Sequence, residues 1–183
     1  LISDMPITKN IAPIKKSIYG INSWFPDIKP YPAKVKTVDK KAFYSAPINS
    51  LTLYDNATHF ASDVFTVTKI ENVYFEGDIN NWCRKSFYSS IGCNPISYAK
   101  NFYINGEIAS NVEVVVPADV TEINNYAFEK FKALKSVSFH NNVTKIGNSA
   151  FNGCTNLTSV VIPGSVKEID TFAFSGCTNL ERI

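Results

Sequence analysis

The 183-residue chain is poor in several features on which common functions depend. It has two histidines, and neither His59 nor His140 stands at a known spacing from a serine nucleophile or from a set of metal ligands. None of its four cysteines forms a CxxC motif, and its glycines occur singly, so the motifs of zinc ribbons and of phosphate-binding loops are missing. The sequence therefore predicts a protein that is not an enzyme and that binds no metal or cofactor.

Charge and hydropathy argue against two further classes of protein. The formal net charge of +2 provides no overall basic field for nucleic acid. The longest apolar runs, such as residues 114–116, fall far short of the roughly 18 residues that a membrane-spanning helix requires. We therefore expect neither nucleic-acid binding nor a transmembrane segment in this chain.

The N-terminal part differs in composition from the rest. Residues 1–50 contain eight Lys and three Asp, whereas residues 51–183 contain ten Lys or Arg and thirteen Asp or Glu. Five of the nine prolines fall within the first 32 residues, where they disfavour helix and interior strand. We interpret residues 1–37 as a Pro-rich, basic lead-in or cap that precedes a domain over residues 38–183.

A 23-residue repeat dominates the C-terminal part of the chain. Residues 146–157 read IGNSAFNGCTNL, residues 169–180 read IDTFAFSGCTNL, and a third copy begins at Ile123. A period of this length indicates a repeat architecture in which each unit stacks on its neighbours. Seven columns are apolar in all three copies: Val120/Val143/Val166, Ile123/Ile146/Ile169, Ala127/Ala150/Ala173, Phe128/Phe151/Phe174, Phe131/Cys154/Cys177, Leu134/Leu157/Leu180 and Val137/Val160/Ile183.

Each unit combines a strand pattern with a turn pattern. Apolar residues two apart, as in residues 160–162, are typical of a strand, while the Ala-Phe pair and the apolar positions three and six residues later suit a helical or 3₁₀ turn. Weaker copies with a 22-residue period occupy residues 38–76. Residues 77–110 interrupt the pattern, and their Asn105-Gly106 pair between apolar runs is typical of a β-hairpin. The sequence thus predicts an α/β solenoid of 22–23-residue coils over residues 38–183, interrupted by an irregular repeat or hairpin at 77–110.

These units resemble the BspA-like leucine-rich repeats, whose pattern is approximately I-G-x-x-A-F-x-x-C-x-x-L-x-x-V-x-I-P-x-x-V. The match is close over residues 112–183 and weaker over 38–76, with Phe131 in the Cys column and His140 in the Pro column as departures. The resemblance implies a leucine-rich repeat solenoid with a parallel β-sheet on its concave face. It also implies an extracellular or cell-surface protein, because known members of the family are adhesins that bind host matrix or cell-surface proteins.

The concave surface can be enumerated because successive strand residues alternate between core and solvent. With Leu51, Leu53 and their equivalents inward, we expect a monomer that binds a protein partner through the outward residues, with the two tyrosines as anchors. One alternative is a spacer that presents another adhesive module, and another is carbohydrate binding by Tyr54, Tyr74 and Trp82. The predicted binding residues are Thr52, Tyr54, Asn72, Tyr74, Glu76, Glu113, Val115, Ser136, Ser138, Ser159, Val161 and Arg182.

The cysteines divide into two pairs. Cys154 and Cys177 share a repeat column that holds Phe131 in the preceding unit, so we predict two buried thiols whose side chains run parallel. Cys83 and Cys93 lie ten residues apart in the irregular segment. They could form a disulfide in an exported protein or remain thiols, and the sequence leaves both open.

Overall fold

The chain forms a solenoid of short parallel strands. The computed structural model describes residues 27–28, 36–46, 48–66, 68–88 and 92–182. The strands in these residues are β1 (Asp27–Ile28), β2 (Thr37–Val38), β3 (Ser50–Tyr54), β4 (His59–Phe60), β5 (Asn72–Glu76), β6 (Ser86–Phe87), β7 (Asn101–Ile104), β8 (Glu107–Ile108), β9 (Val112–Val115), β10 (Glu122–Ile123), β11 (Leu134–Ser138), β12 (Lys145–Ile146), β13 (Ser159–Val161) and β14 (Glu168–Ile169).

The strands form four sheets, two on the concave face and two on the side of the solenoid. We call the sheet β1-β3-β5-β7-β8 the first concave sheet and the sheet β13-β11-β9 the second concave sheet. The side sheets have the orders β2-β4-β6 and β10-β12-β14. All pairs are parallel except β7 and β8. The predicted leucine-rich repeat solenoid is therefore confirmed.

The core consists of columns in which equivalent side chains of successive coils stack on one another. Phe128, Phe151 and Phe174 stack with centroid separations of 5.4 and 5.2 Å and with nearly parallel planes. Phe128 and Phe151 are fully buried, whereas Phe174 is partly exposed because no described residues pack beyond the last coil. Val166, Ile169, Cys177 and Leu180 are likewise less buried than their equivalents in the preceding coils, whereas Ala173 stays buried, and Ile183 lies outside the described residues.

The convex side consists of hydrogen-bonded turns rather than helices. Within the described residues, 3₁₀ helix occurs at Ile79–Arg84 and Pro95–Ser97, both in the irregular segment. In the regular repeats, two columns adopt positive φ, for example Tyr126 (59°) and Lys130 (59°) in one coil. A left-handed residue interrupts helix propagation, so each coil makes only a turn before its next strand. No helix in the described residues has the length and apolarity to cross a membrane.

Side chains of the irregular segment bond it to the turns of the regular coil that follows. Trp82 is buried, and its Nε1 donates to the carbonyl oxygen of Ala127 at 2.7 Å, while Asn94 Nδ2 donates to that of Tyr126 at 2.7 Å. Arg84 forms a 2.6 Å ion pair with Asp119. These side chains stand where backbone hydrogen bonds link coils elsewhere in the solenoid.

The hairpin lies within the same segment. Asn105 and Gly106 connect β7 to β8 with φ of 49° and 87°, the two positive values that a type I′ turn requires. Of the predicted lead-in, β1 pairs with β3 in parallel, and residue 37 begins β2. The remaining residues of the lead-in, apart from residue 36, lie outside those described.

Candidate binding surface

The predicted concave residues all point away from the core. In β3, Leu51 and Leu53 are buried while Thr52 and Tyr54 are partly exposed, and β5, β9 and β13 alternate in the same way. In β11 a register shift between Leu134 and Ser136 interrupts the alternation, but Ser136 and Ser138 still lie on either side of the buried Val137. The register then fixes which side chains are neighbours, because each residue lies opposite its counterpart in the next coil. The twelve predicted residues are distributed over both concave sheets, the first carrying Thr52, Tyr54, Asn72, Tyr74 and Glu76, and the second Glu113, Val115, Ser136, Ser138, Ser159, Val161 and Arg182.

A row of outward side chains with two tyrosines at its centre, the tyrosine row, crosses the first concave sheet. Tyr74 lies between Thr52 on β3 and Tyr103 on β7, and Tyr103 lies opposite Ile108 on β8. The rings of Tyr74 and Tyr103 stack with centroids 4.6 Å apart and planes inclined by 17°. Tyr103 and Ile108 are absent from the predicted binding residues because they belong to the irregular segment. The alternating Phe102-Tyr103-Ile104 run is the signal that could have placed Tyr103 on a concave strand.

A row of asparagines lies two residues before the tyrosine row. Asn72 on β5 is opposite Asn101 on β7, and Asn101 Nδ2 donates to Asn72 Oδ1 at 2.9 Å. This bond uses one donor and one acceptor of the pair. The Asn72 amide nitrogen and the Asn101 amide oxygen make no other hydrogen bond with the described residues, so the pair offers a donor and an acceptor at the surface.

Glu76 is the charged residue of this surface. It lies opposite Tyr54 in the register and two residues beyond Tyr74, and its side chain is partly buried. None of the ion pairs among the described residues involves Glu76. The surface therefore holds a carboxylate next to a tyrosine ring, without a cation from the described part of the chain.

A buried lysine lies behind this end of the sheet. Lys85 is fully buried, and its ammonium donates to the carbonyl oxygens of Ala57 at 2.6 Å and Tyr54 at 3.3 Å. Burial lowers the pKa of Lys85 from 10.5 to about 8, and the Asp55 carboxylate partly opposes that change. Asp55 has one buried oxygen without a hydrogen bond, and its other oxygen accepts from the backbone N–H of Asp78 at 3.2 Å. The opposite charges of Lys85 and Asp55 offset one another, and Glu76 adds a partly exposed negative charge at this end of the sheet.

The second concave sheet has a different chemistry. Ser138 lies between Val115 and Val161, and these two valines are 60% and 80% exposed. Glu113 is paired with Lys135 at 3.5 Å, so its charge is met within the chain. This surface is composed of small neutral side chains, one internal ion pair and the exposed Arg182.

The structure does not combine the predicted residues into one surface. The β7–β8 hairpin ends the first concave sheet, and β9 begins a separate hydrogen-bonded sheet. Asn80 Oδ1 accepts the backbone N–H of Val115 at 2.7 Å, so a side chain meets the edge of β9. The concave face thus consists of two adjacent surfaces of unlike composition.

The remaining candidate groups have structural partners. His140 accepts the N–H of Asn142 at Nδ1 (3.0 Å) and meets the Pro117 carbonyl oxygen at Nε2 (2.6 Å), so both ring nitrogens are engaged. His59 Nδ1 lies 3.1 Å from Ser86 Oγ, a contact made by strand register rather than by sequence spacing. No hydrogen bond among the described residues joins the other nitrogen of His59 to a carboxylate, which the base of a catalytic triad requires. Likewise, the described residues contain no group of three potential metal ligands.

The four cysteines carry thiols rather than disulfides. Cys154 Sγ donates to the carbonyl oxygen of Phe128 and Cys177 Sγ to that of Phe151, each at 3.1 Å, which repeats one contact in successive coils. Burial raises the pKa of the Cys154 thiol, and it raises that of Cys83 to about 12. Thiols with such pKa values are poor nucleophiles at neutral pH, so these two residues act as small apolar side chains.

Comparison with known families identifies one match over the chain. The model of the BspA type leucine rich repeat region matches residues 2–111 and 107–183, with six copies. No curated protein matches the chain significantly.

Solved structures of similar fold come from several bacteria. A leucine-rich repeat protein from Bacteroides ovatus has 20% sequence identity and a TM-score of 0.48, with 84% of this chain and 36% of that chain covered. A leucine rich cell surface protein from Faecalibacterium prausnitzii has 22% identity and a TM-score of 0.47, with 83% and 44% covered. The pneumococcal vaccine antigen PcpA has 15% identity and a TM-score of 0.47, with 81% and 54% covered. The chain thus spans between about a third and just over half of these chains.

Proposed function

Since the chain belongs to the BspA-type leucine-rich repeat family, we propose that it is a non-enzymatic, extracellular or cell-surface protein that binds a protein partner through its first concave sheet. It acts as a monomer, and the partner is a host matrix or cell-surface protein. The observation that carries the proposal is the stacked pair of Tyr74 and Tyr103. Tyrosine provides a large contact area with a polar tip, and it is enriched among the residues that dominate binding energy.

The chemistry of the rest of the molecule supports a binding role over catalysis. The histidines contact a carbonyl, a backbone amide and a serine, and the pKa values of Cys83 and Cys154 are raised by burial. By contrast, the first concave sheet gathers tyrosine, asparagine and glutamate side chains that the core does not use. Trp82, which the carbohydrate hypothesis required at the surface, lies in the core.

The proposal is tested by binding to an array of purified extracellular matrix proteins and glycans. A double variant Tyr74→Ala/Tyr103→Ala should bind the captured protein at least about tenfold more weakly, since tyrosines at hot spots contribute 2 kcal/mol or more. The matched control is Ser138→Ala/Ser159→Ala on the second concave sheet, which should bind like the wild type. Equal binding by wild type and tyrosine variant would exclude the first concave sheet as the site. Failure of the wild type to bind any member would favour the spacer alternative.

A further inference from the structure

The first concave sheet presents three rows of different chemistry, and together they specify a ligand. From the start to the end of the strands, these are the asparagine row, the tyrosine row and the row that contains Tyr54 and Glu76. The rows lie two residues apart, which is about 6.6 Å along a strand. Alternate residues of any extended polypeptide have the same spacing, so an extended segment aligned with the strands meets all three rows in step.

The tyrosine row favours polypeptide over sugar. Tyr74 and Tyr103 rise from neighbouring strands, and their centroid separation of 4.6 Å is close to the spacing of the strands themselves. The facing ring surfaces therefore cover each other, and the pair presents ring edges and two hydroxyl groups to the solvent. A sugar ring requires an open aromatic face, whereas peptide groups and side chains can use edges and hydroxyls.

The asparagine row fits the backbone of one residue. After the bond between Asn101 Nδ2 and Asn72 Oδ1, the pair retains one amide donor and one amide oxygen on neighbouring strands. One residue of an extended chain likewise presents an N–H donor and a C=O acceptor on the same side. The pair can therefore satisfy both backbone groups of a residue that lies across it.

The third row fits a cation. Within the described part of the chain, the Glu76 carboxylate makes no ion pair, and Tyr54 beside it makes no ring contact with another aromatic residue. Among the described residues, Glu76 and Asp78 lie at this end of the strands together with the mutually opposed Asp55 and Lys85, so the charge of this group is negative. Among cationic side chains, arginine matches this arrangement, because its planar guanidinium stacks on a tyrosine ring while it binds a carboxylate through two N–H groups.

We infer that the first concave sheet binds an extended polypeptide segment, with the backbone N–H and C=O of one residue on the Asn72–Asn101 pair and an arginine side chain on Glu76 and Tyr54. This assignment rests on the proposed function and adds the chemistry of the partner to it. It also places the arginine at the end of the sheet where β3 and β5 finish.

The test selects random linear peptides, displayed on phage, against the whole chain. The selected peptides should share an arginine, and its replacement by glutamine should weaken binding at least about tenfold, with lysine intermediate. Glu76→Gln should weaken the same peptides to a similar degree. The matched control is Glu113→Gln, which removes a carboxylate of the second concave sheet that is already paired with Lys135. It should change the affinity less than twofold. Thermal unfolding of each variant verifies that the fold is retained.

The outcomes separate this inference from the proposed function. Selected peptides without a common basic residue, or equal affinities for Glu76→Gln and Glu113→Gln, would overturn the arginine site. If such peptides still lose affinity with Tyr74→Ala/Tyr103→Ala, the proposed protein-binding surface survives without it. If the chain binds glycans through the tyrosines and binds no peptide, the assignment of a polypeptide ligand is wrong. Binding that depends on neither Glu76 nor the tyrosines would overturn both proposals.

Discussion

The buried Lys85 predicts that folding stability rises with pH over a defined window. Its side chain is fully buried, and its ammonium lies 5.2 Å from the ring centroids of both Phe75 and Trp82. Burial lowers the pKa of Lys85 from 10.5 to about 8, which corresponds to about 3 kcal/mol of unfavourable free energy for holding the charge inside the fold. The carbonyl oxygens of Ala57 and Tyr54 and the aromatic faces offset only part of the lost hydration.

The sign of the effect follows from the proton balance. Below about pH 8, Lys85 is protonated in both the folded and the unfolded chain, so the destabilisation is constant. Between about pH 8 and 10.5, the folded chain has released this proton while the unfolded chain still binds it, so the free energy of unfolding increases with pH. Above that window Lys85 is neutral in both states, and the full gain of about 3 kcal/mol has been reached.

Urea unfolding of the wild type and of Lys85→Met at several pH values from 7 to 10.5 measures this gain as a difference between the two proteins. The comparison is needed because Cys83 acts in the opposite direction. Its pKa is raised from 9.0 to about 12, so it lowers stability as pH rises above 9, but it does so in both proteins. We expect the free energy of unfolding of the wild type minus that of Lys85→Met to rise with pH. A difference that stays constant or falls with pH would refute the desolvation of Lys85. NMR titration of the Lys85 side chain in the wild type gives the pKa directly, even if Lys85→Met folds poorly.

Two further perturbations test how the coils stack. Phe151→Ala should destabilise the fold by roughly 3–5 kcal/mol in urea unfolding, since this ring is buried and stacked on both sides, and Phe174→Ala in the partly exposed last coil should cost clearly less. Equal losses would contradict the stacking of these columns, as would a change under about 1 kcal/mol for Phe151→Ala. Gly153→Ala should destabilise by about 1–2 kcal/mol, because φ is 74° and the new Cβ would lie 3.3 Å from Lys130 Cγ. Gly164→Ala, which meets nothing within 4 Å, is its control, and the idea fails if the two substitutions have the same effect.

The regular half of the fold was predictable because its information is local and repeated. A 23-residue period places Val137 beside Val160, and the alternation of β11 and β13 follows without knowledge of any distant contact. The repeat likewise predicts that Phe128 and Phe151 stack, since similar coils place equivalent side chains next to each other. One local feature escaped this reasoning. The left-handed conformation of Tyr126 has no signal in its repeat column, which holds Ser149 and Phe172, whereas Gly153 and Gly176 mark the column of Lys130.

The irregular half was less predictable because its contacts are long-range and occur once. The bond from Trp82 to Ala127 spans 45 residues, and no repeat column indicates it. From the sequence, Lys85 would be expected at the surface like most lysines, yet its side chain is fully buried. For the binding surface, alternation correctly places Tyr74 outward, but its stacking partner Tyr103 follows only when residues 101–104 are known to form a concave strand.

The stacking of coils explains why the candidate binding residues lie in the half of the solenoid whose repeats are weak or irregular. In parallel in-register strands, each surface residue lies about 4.8 Å from its counterpart, so a repeated acid would set like charges side by side. A residue whose side chain interacts favourably with an identical neighbour can occur at the same position in successive coils, and stacked aromatics and asparagine ladders are two such cases. The Tyr74–Tyr103 stack and the Asn72–Asn101 bond are examples on the first concave sheet. A single charge fits only where the neighbouring coil differs, and Glu76 lies opposite Tyr54 rather than another acid. Specificity based on charge therefore requires departure from the repeat, and the irregular coils provide it.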